Sequence, residues 1–137
     1  MANQTFDSAQ YKEYMAQLKR MISELPPFCA EFFRGIENET LIRTRVAYAG
    51  DLKNFFGFLI KENENFKRDN IRSLTLSDID RVSVTDVEIY LSYVTMYVDD
   101  DEREKVNQDR AKARKLSSIR ALYKLSLIHI SEPTRPE

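Results

Sequence analysis

The chain has 137 residues, 42% of them hydrophobic and 31% charged, with 21 Lys plus Arg against 22 Asp plus Glu. That length supports one domain with a single core and is too short for two, and the near-zero net charge excludes a uniformly basic nucleic-acid coat. One cysteine, Cys29, excludes an internal disulfide, and one histidine excludes a zinc site of the usual Cys/His type, so no metal or cofactor is expected. The longest apolar run, Phe55 to Ile60, falls far short of the ~20 residues a membrane-spanning helix needs. The start MANQTFDSAQ also lacks the basic and apolar regions of a signal peptide, and a soluble, cytoplasmic chain is expected.

Three glycines, four prolines and no sustained alternation of apolar and polar residues predict an all-α domain. Tyr11, Met15, Leu18, Ile22 and Leu25 form a helical stripe that Pro26-Pro27 ends. Pro27 can open a short second helix carrying Phe28, Phe32, Phe33 and Ile36. A third helix begins near Thr40 and places Leu41, Tyr48, Leu52, Phe55, Phe56 and Leu59 on one face, the strongest amphipathic signal in the chain. After Glu62-Asn63-Glu64-Asn65 a polar linker leads to a loop and one helical turn with Leu74, Leu76, Ile79 and Val82. Two overlapping capping boxes, Ser83 with Asp86 and Thr85 with Glu88, introduce the next helix, whose core face is Val87, Tyr90, Leu91 and Val94. An acidic loop, Asp99 to Glu102, precedes a last helix marked by Leu116, Ile119 and Tyr123. Pro133 and Pro136 forbid regular structure in residues 126–137, which read as an appended peptide outside the fold.

Charge is unevenly spread. Arg103 to Lys124 holds eight basic and two acidic residues, whereas Asp78 to Glu102 holds eight acids against Arg81, so a near-neutral chain is strongly dipolar. At 100° per residue, Arg110, Arg114, Ser117, Ser118 and Ala121 fall opposite Leu116, Ile119 and Tyr123. Two arginines one turn apart followed by short polar side chains suit a helix lying close to phosphates or base edges; a merely solvated face is the plainer reading. In the third helix Gly50 and Gly57 lie two turns apart opposite the core stripe, near Ala47, Lys53 and Asn54. Each mid-helix glycine costs ~1 kcal/mol relative to alanine, which is understandable where a neighbouring helix or a nucleic-acid backbone approaches closely.

The runs Leu25-Pro26-Pro27-Phe28 with Phe32-Phe33, Thr44-Arg45-Val46-Ala47-Tyr48-Ala49-Gly50-Asp51-Leu52-Lys53-Asn54-Phe55-Phe56-Gly57-Phe58-Leu59, Asp86-Val87 with Tyr90-Leu91, and Arg114-Lys115-Leu116-Ser117-Ser118-Ile119-Arg120-Ala121-Leu122-Tyr123-Lys124-Leu125 together resemble the N-terminal domain of tyrosine-type site-specific recombinases, the phage integrase family. The resemblance spans residues 25–125, preceded by the helix within 1–24. It implies a SAM-like core-binding bundle of four core helices that forms half of a clamp around double-stranded DNA, and association with other recombinase subunits in a synaptic complex. The family's chemistry resides in a separate catalytic domain. Its H-x-x-R motif cannot be made here, since His129 is followed at that spacing by Glu132, so no enzymatic activity is expected of this chain.

Arg43, Thr44, Arg45 and Lys53 on one helix, with Arg110, Lys112, Arg114, Lys115, Ser118 and Arg120 on the other, are the expected DNA contacts, most of them to phosphate. Tyr48, Tyr90 and Tyr123 are read as core residues and Cys29 as a core thiol among phenylalanines. The acidic loop lacks the glycine and alternating acids of a calcium loop. Without a heptad seam the chain is expected to be monomeric on its own, and a helical protein-interaction module with a basic face is the alternative to a DNA-binding domain.

Overall fold

The computed structural model describes residues 8–95 and 109–124, and every regular element among them is helical. The elements are α1 (Ser8–Ser23), α2 (Cys29–Gly35), α3 (Ile42–Glu62), α4 (Leu76–Asp80), α5 (Val84–Thr95) and α6 (residues 109–124), with two single 3-10 turns, Glu64–Phe66 and Ile71–Ser73, between α3 and α4. The acidic loop and the tail fall outside the described residues. No helix among those described is long and apolar enough to cross a membrane.

α3 is the central element. Its buried residues, among them Ile42, Ala49, Leu52, Phe55, Phe56, Phe58 and Leu59, cover more than half its circumference, because neighbours pack on it from several sides. Phe56 meets Phe28 edge-on at 6.1 Å, and Phe55 and Phe58 meet Tyr90 of α5 at 5.1 and 5.3 Å. Leu41, expected in the core, is instead exposed: it occupies the extended residue just before the helix, and Ile42 takes the buried position.

The stripe of α1 is only partly used. Leu18 and, past the helix end, Leu25 are buried and Tyr14 is half-buried against the core, whereas Tyr11 and Met15 are exposed; toward the C-terminal end of α1 the Met21 tip lies beside Gly50. The chain turns at Pro26-Pro27, whose carbonyls accept from the Cys29 and Ala30 amides, so the prolines supply acceptors to a helix that proceeds from Cys29. Cys29 is fully enclosed, and burial raises its thiol to about 12, in keeping with an inert core residue.

Of the two capping boxes expected before α5, the structure forms one. The Ser83 backbone N–H donates to the Asp86 carboxylate at 2.9 Å and the Asp86 N–H donates to Ser83 Oγ at 3.1 Å, while Thr85 lies inside the helix. Ser83→Ala should therefore cost about 1 kcal/mol in urea unfolding, and Thr85→Ala should change stability by less than ~0.5 kcal/mol. A second box, Thr75 with Asp78, starts α4 and went unread in the sequence although it has the same spacing.

Asp78 is the hub of that corner. Buried, it accepts from the Thr75 backbone N–H at 3.0 Å, from Arg81 Nη2 at 2.7 Å and from Arg68, whose Nε and Nη2 both donate. Burial pushes its carboxyl up, but the Thr75 amide and the Arg81 and Arg68 guanidinium groups outweigh burial and hold it at about 2, below the ordinary 3.8. A depressed folded value stabilises the fold above the unfolded value. The contribution, about 2 kcal/mol, should be intact above pH 4 and lost as pH falls from 4 toward 2. Asp78→Asn should flatten that part of an acid-unfolding curve followed by circular dichroism.

Candidate nucleic-acid interface

The least covered part of α3 is a narrow outward stripe on which Arg43, Asn54 and Lys61 are exposed and Ala47, Gly50 and Gly57 half-buried. Successive positions along it are Arg43, Ala47, Gly50, Asn54, Gly57 and Lys61, a cation at each end with small or short polar residues between. A methyl group added at Gly57 would meet nothing within 4 Å, and one added at Gly50 would lie 3.5 Å from Met21 Cε, an ordinary contact with the flexible end of a side chain. Interior packing thus requires neither glycine. Gly50, Lys53, Asn54, Gly57 and Lys61 line one shallow groove, with Phe58 and Tyr93 at its other wall. Lys61 was missed in the sequence, although it lies one turn beyond Gly57 on the same face.

Lys53 is exposed and pairs with Glu24 of the α1–α2 turn at 2.7 Å; with both side chains half in water, the pair holds Lys53 only weakly. Arg43 is exposed and Thr44 half-buried on the first turn of α3. Arg45 departs from expectation. Only 6% exposed, it turns inward and donates from Nη1 to the Glu37 carbonyl at 2.8 Å, tying α3 to the turn after α2, and so is not placed to reach a phosphate.

On α6 the buried positions are Ser118, Ile119 and Leu122, which rotates the core face by nearly a quarter turn from the one drawn through Leu116, Ile119 and Tyr123. Ser118, expected as a contact residue, is fully enclosed and donates from Oγ to the Lys115 carbonyl at 2.8 Å; Ala121 is half-buried against the core. The exposed face carries Arg110, Ala113, Ser117, Arg120 and Lys124, with Lys112 half-buried at its margin.

Arg114 and Lys115 have a structural partner. Asp51, 3% exposed on α3, accepts from Arg114 Nε at 2.8 Å and Nη2 at 2.9 Å, and from Lys115 Nζ at 3.2 Å. The two bonds from Arg114 form a planar fork that fixes the guanidinium while leaving the side chain 48% exposed; Lys115 is 16% exposed. The hydrogen bonds to Asp51 hold Arg114 more firmly protonated than a free arginine. With one carboxylate serving two cations, the cluster presents a net single positive charge from a fixed position.

The tyrosines serve packing. Tyr90 is fully buried and donates its hydroxyl to Asn54 Oδ1 at 2.8 Å; burial and then the Asp51 charge raise its pKa. Tyr123 donates to the Ile79 carbonyl, and burial followed by the charges of Asp80 and Asp86 raises it likewise. Tyr48 is half-buried against the core.

Comparison with known proteins returns no match: no family model, no curated protein and no solved structure is significantly similar to the chain.

Proposed function

We propose that the chain is a SAM-like core-binding domain of a tyrosine-type recombinase, which grips duplex DNA through the outward stripe of α3 and the exposed face of α6 and leaves strand cleavage to a separate catalytic domain. The observation that carries this reading is the pair of glycines on α3. Two residues that weaken the helix by up to ~1 kcal/mol each stand on the face of α3 least covered by the described residues, between Arg43 and Lys61, where added methyl groups would meet no more than an ordinary contact. A helix face carrying only small or short polar residues and flanked by cations suits close approach of a phosphodiester strand. Lys53, Arg110, Arg114 and Arg120 add charge around it, and the motif resemblance over residues 25–125 supplies the family.

Titration of the chain with a fluorescent duplex at several salt concentrations tests the proposal. With about four phosphate contacts, log K should fall against log salt with a slope of roughly −3 to −4. Gly57→Ala should stabilise the fold by up to ~1 kcal/mol, and Gly57→Glu should leave the melting temperature nearly unchanged while weakening DNA binding by exclusion and by repulsion from phosphate. Absence of binding at low salt, binding indifferent to salt, or full affinity in Gly57→Glu would refute it.

A further inference from the structure

Away from the DNA-facing stripe, α1 and α2 diverge to leave an open cleft of about 620 Å³, within the roughly 300–1,000 Å³ range of small-molecule sites. Its walls are apolar: Met15, Leu18 and Ile22 on α1 face Ala30 and Phe33 on α2. Arg45 closes it from α3. That guanidinium is a cation taken almost wholly out of water with no carboxylate partner among the described residues. Nη1 is used by the Glu37 carbonyl, and Nε is sealed from solvent without a hydrogen-bond partner among the described residues. A cation taken out of water without a counter-charge is unfavourable unless one arrives, and a carboxylate in the cleft that Arg45 lines supplies it. Lys19 and Arg34 at the rim outnumber Glu37, so the cleft is electropositive over an apolar lining.

We propose that this cleft binds a small amphiphilic carboxylate, its hydrocarbon part against Leu18, Ile22 and Phe33 and its carboxylate against Arg45 where the side chain lines the cleft. The site is independent of the DNA reading, because no residue of the α3 stripe or the α6 face contributes to it.

Decanoate and decanol, matched in length and kept below micellar concentrations, serve as probes against the 15N-labelled full chain, followed by amide chemical shifts. Decanoate should shift the amides of Leu18, Ala30, Phe33 and Arg45 saturably and bind at least about tenfold more tightly than decanol. Arg45→Met should erase that preference. Ala30→Trp, which keeps Arg45 and fills the mouth of the cleft from an exposed position, should abolish binding of both probes, and it carries the test if Arg45→Met does not fold. Equal affinity for the two probes in the parent chain, shifts scattered over other faces, a preference that survives Arg45→Met, or binding that survives Ala30→Trp would overturn the proposal.

Discussion

Replacing Phe55 with alanine should lower the unfolding free energy by about 4 kcal/mol, a large part of the roughly 5–15 kcal/mol that holds a domain of this size together. The ring is fully buried on the central helix, 5.8 Å from Phe56 and 5.1 Å edge-on to Tyr90, so deletion removes its own burial and undercuts two further aromatic contacts. Tyr90 cannot swing in to fill the void without giving up its hydroxyl bond to Asn54. Urea unfolding should show an earlier midpoint at an unchanged slope, and Phe55→Leu should recover most of the loss. A deficit under ~1 kcal/mol in Phe55→Ala would mean that α3 is not the centre of the core.

Neutralising Asp51 should have the second large effect, and its sign on binding is the instructive part. Asp51→Asn removes the shared acceptor of Arg114 and Lys115 and leaves two cations at a half-buried position; the expected loss is about 2 kcal/mol, below the roughly 3–5 kcal/mol of a broken fully buried pair because Arg114 is half in water. If the cluster touched DNA as loose charge, loss of a negative group would strengthen binding. With Arg114 fixed by the fork, Asp51→Asn should instead weaken binding several-fold, measured by anisotropy at a temperature where both proteins are folded. Arg110→Ala offers the contrast, since that exposed arginine should lose affinity with little change in stability. Tighter DNA binding by Asp51→Asn would assign Asp51 a purely inhibitory charge.

The helical class and most of the core were legible in the sequence because both depend on local pattern. Leu52, Phe55, Phe56 and Leu59 recur at helical spacing, the paired prolines end the first helix, and Ser83 with Asp86 carries its cap in four consecutive residues. What escaped depends on partners distant in the chain. Asp51 lies 63 positions before Arg114, and nothing in either segment alone says that a carboxylate and a guanidinium meet. Arg45 was expected at the surface as a DNA contact and Ser118 by the helical wheel, yet each donates to a nearby carbonyl and sinks into the interior. For α6 the error was one of rotation: a wheel drawn through Leu116 and Tyr123 overlooks Leu122, which is buried because α6 is pinned to α3 on the Asp51 side. One available signal went unused, for Asp51 stands beside Leu52 where a solvent-facing acid is out of place.

The attachments of α1 are concentrated at one end. Leu18 enters the core, Met21 lies beside Gly50, Glu24 just past the helix holds Lys53, and the carbonyls of Ser23 and Leu25 accept from Arg72 Nη1, whereas Ser8 to Glu13 are exposed. Tyr14, half-buried against the core, is the first residue of α1 to lose most of its exposure, and the turn and a half before it faces water. The exposed first turns of α1 should therefore open more readily than the bundle, and their amides should exchange with solvent hydrogen sooner than those from Leu18 onward. On that reading the helix is a lever hinged at Leu18, and a change confined to its exposed outer turns should leave the bundle beneath it largely intact.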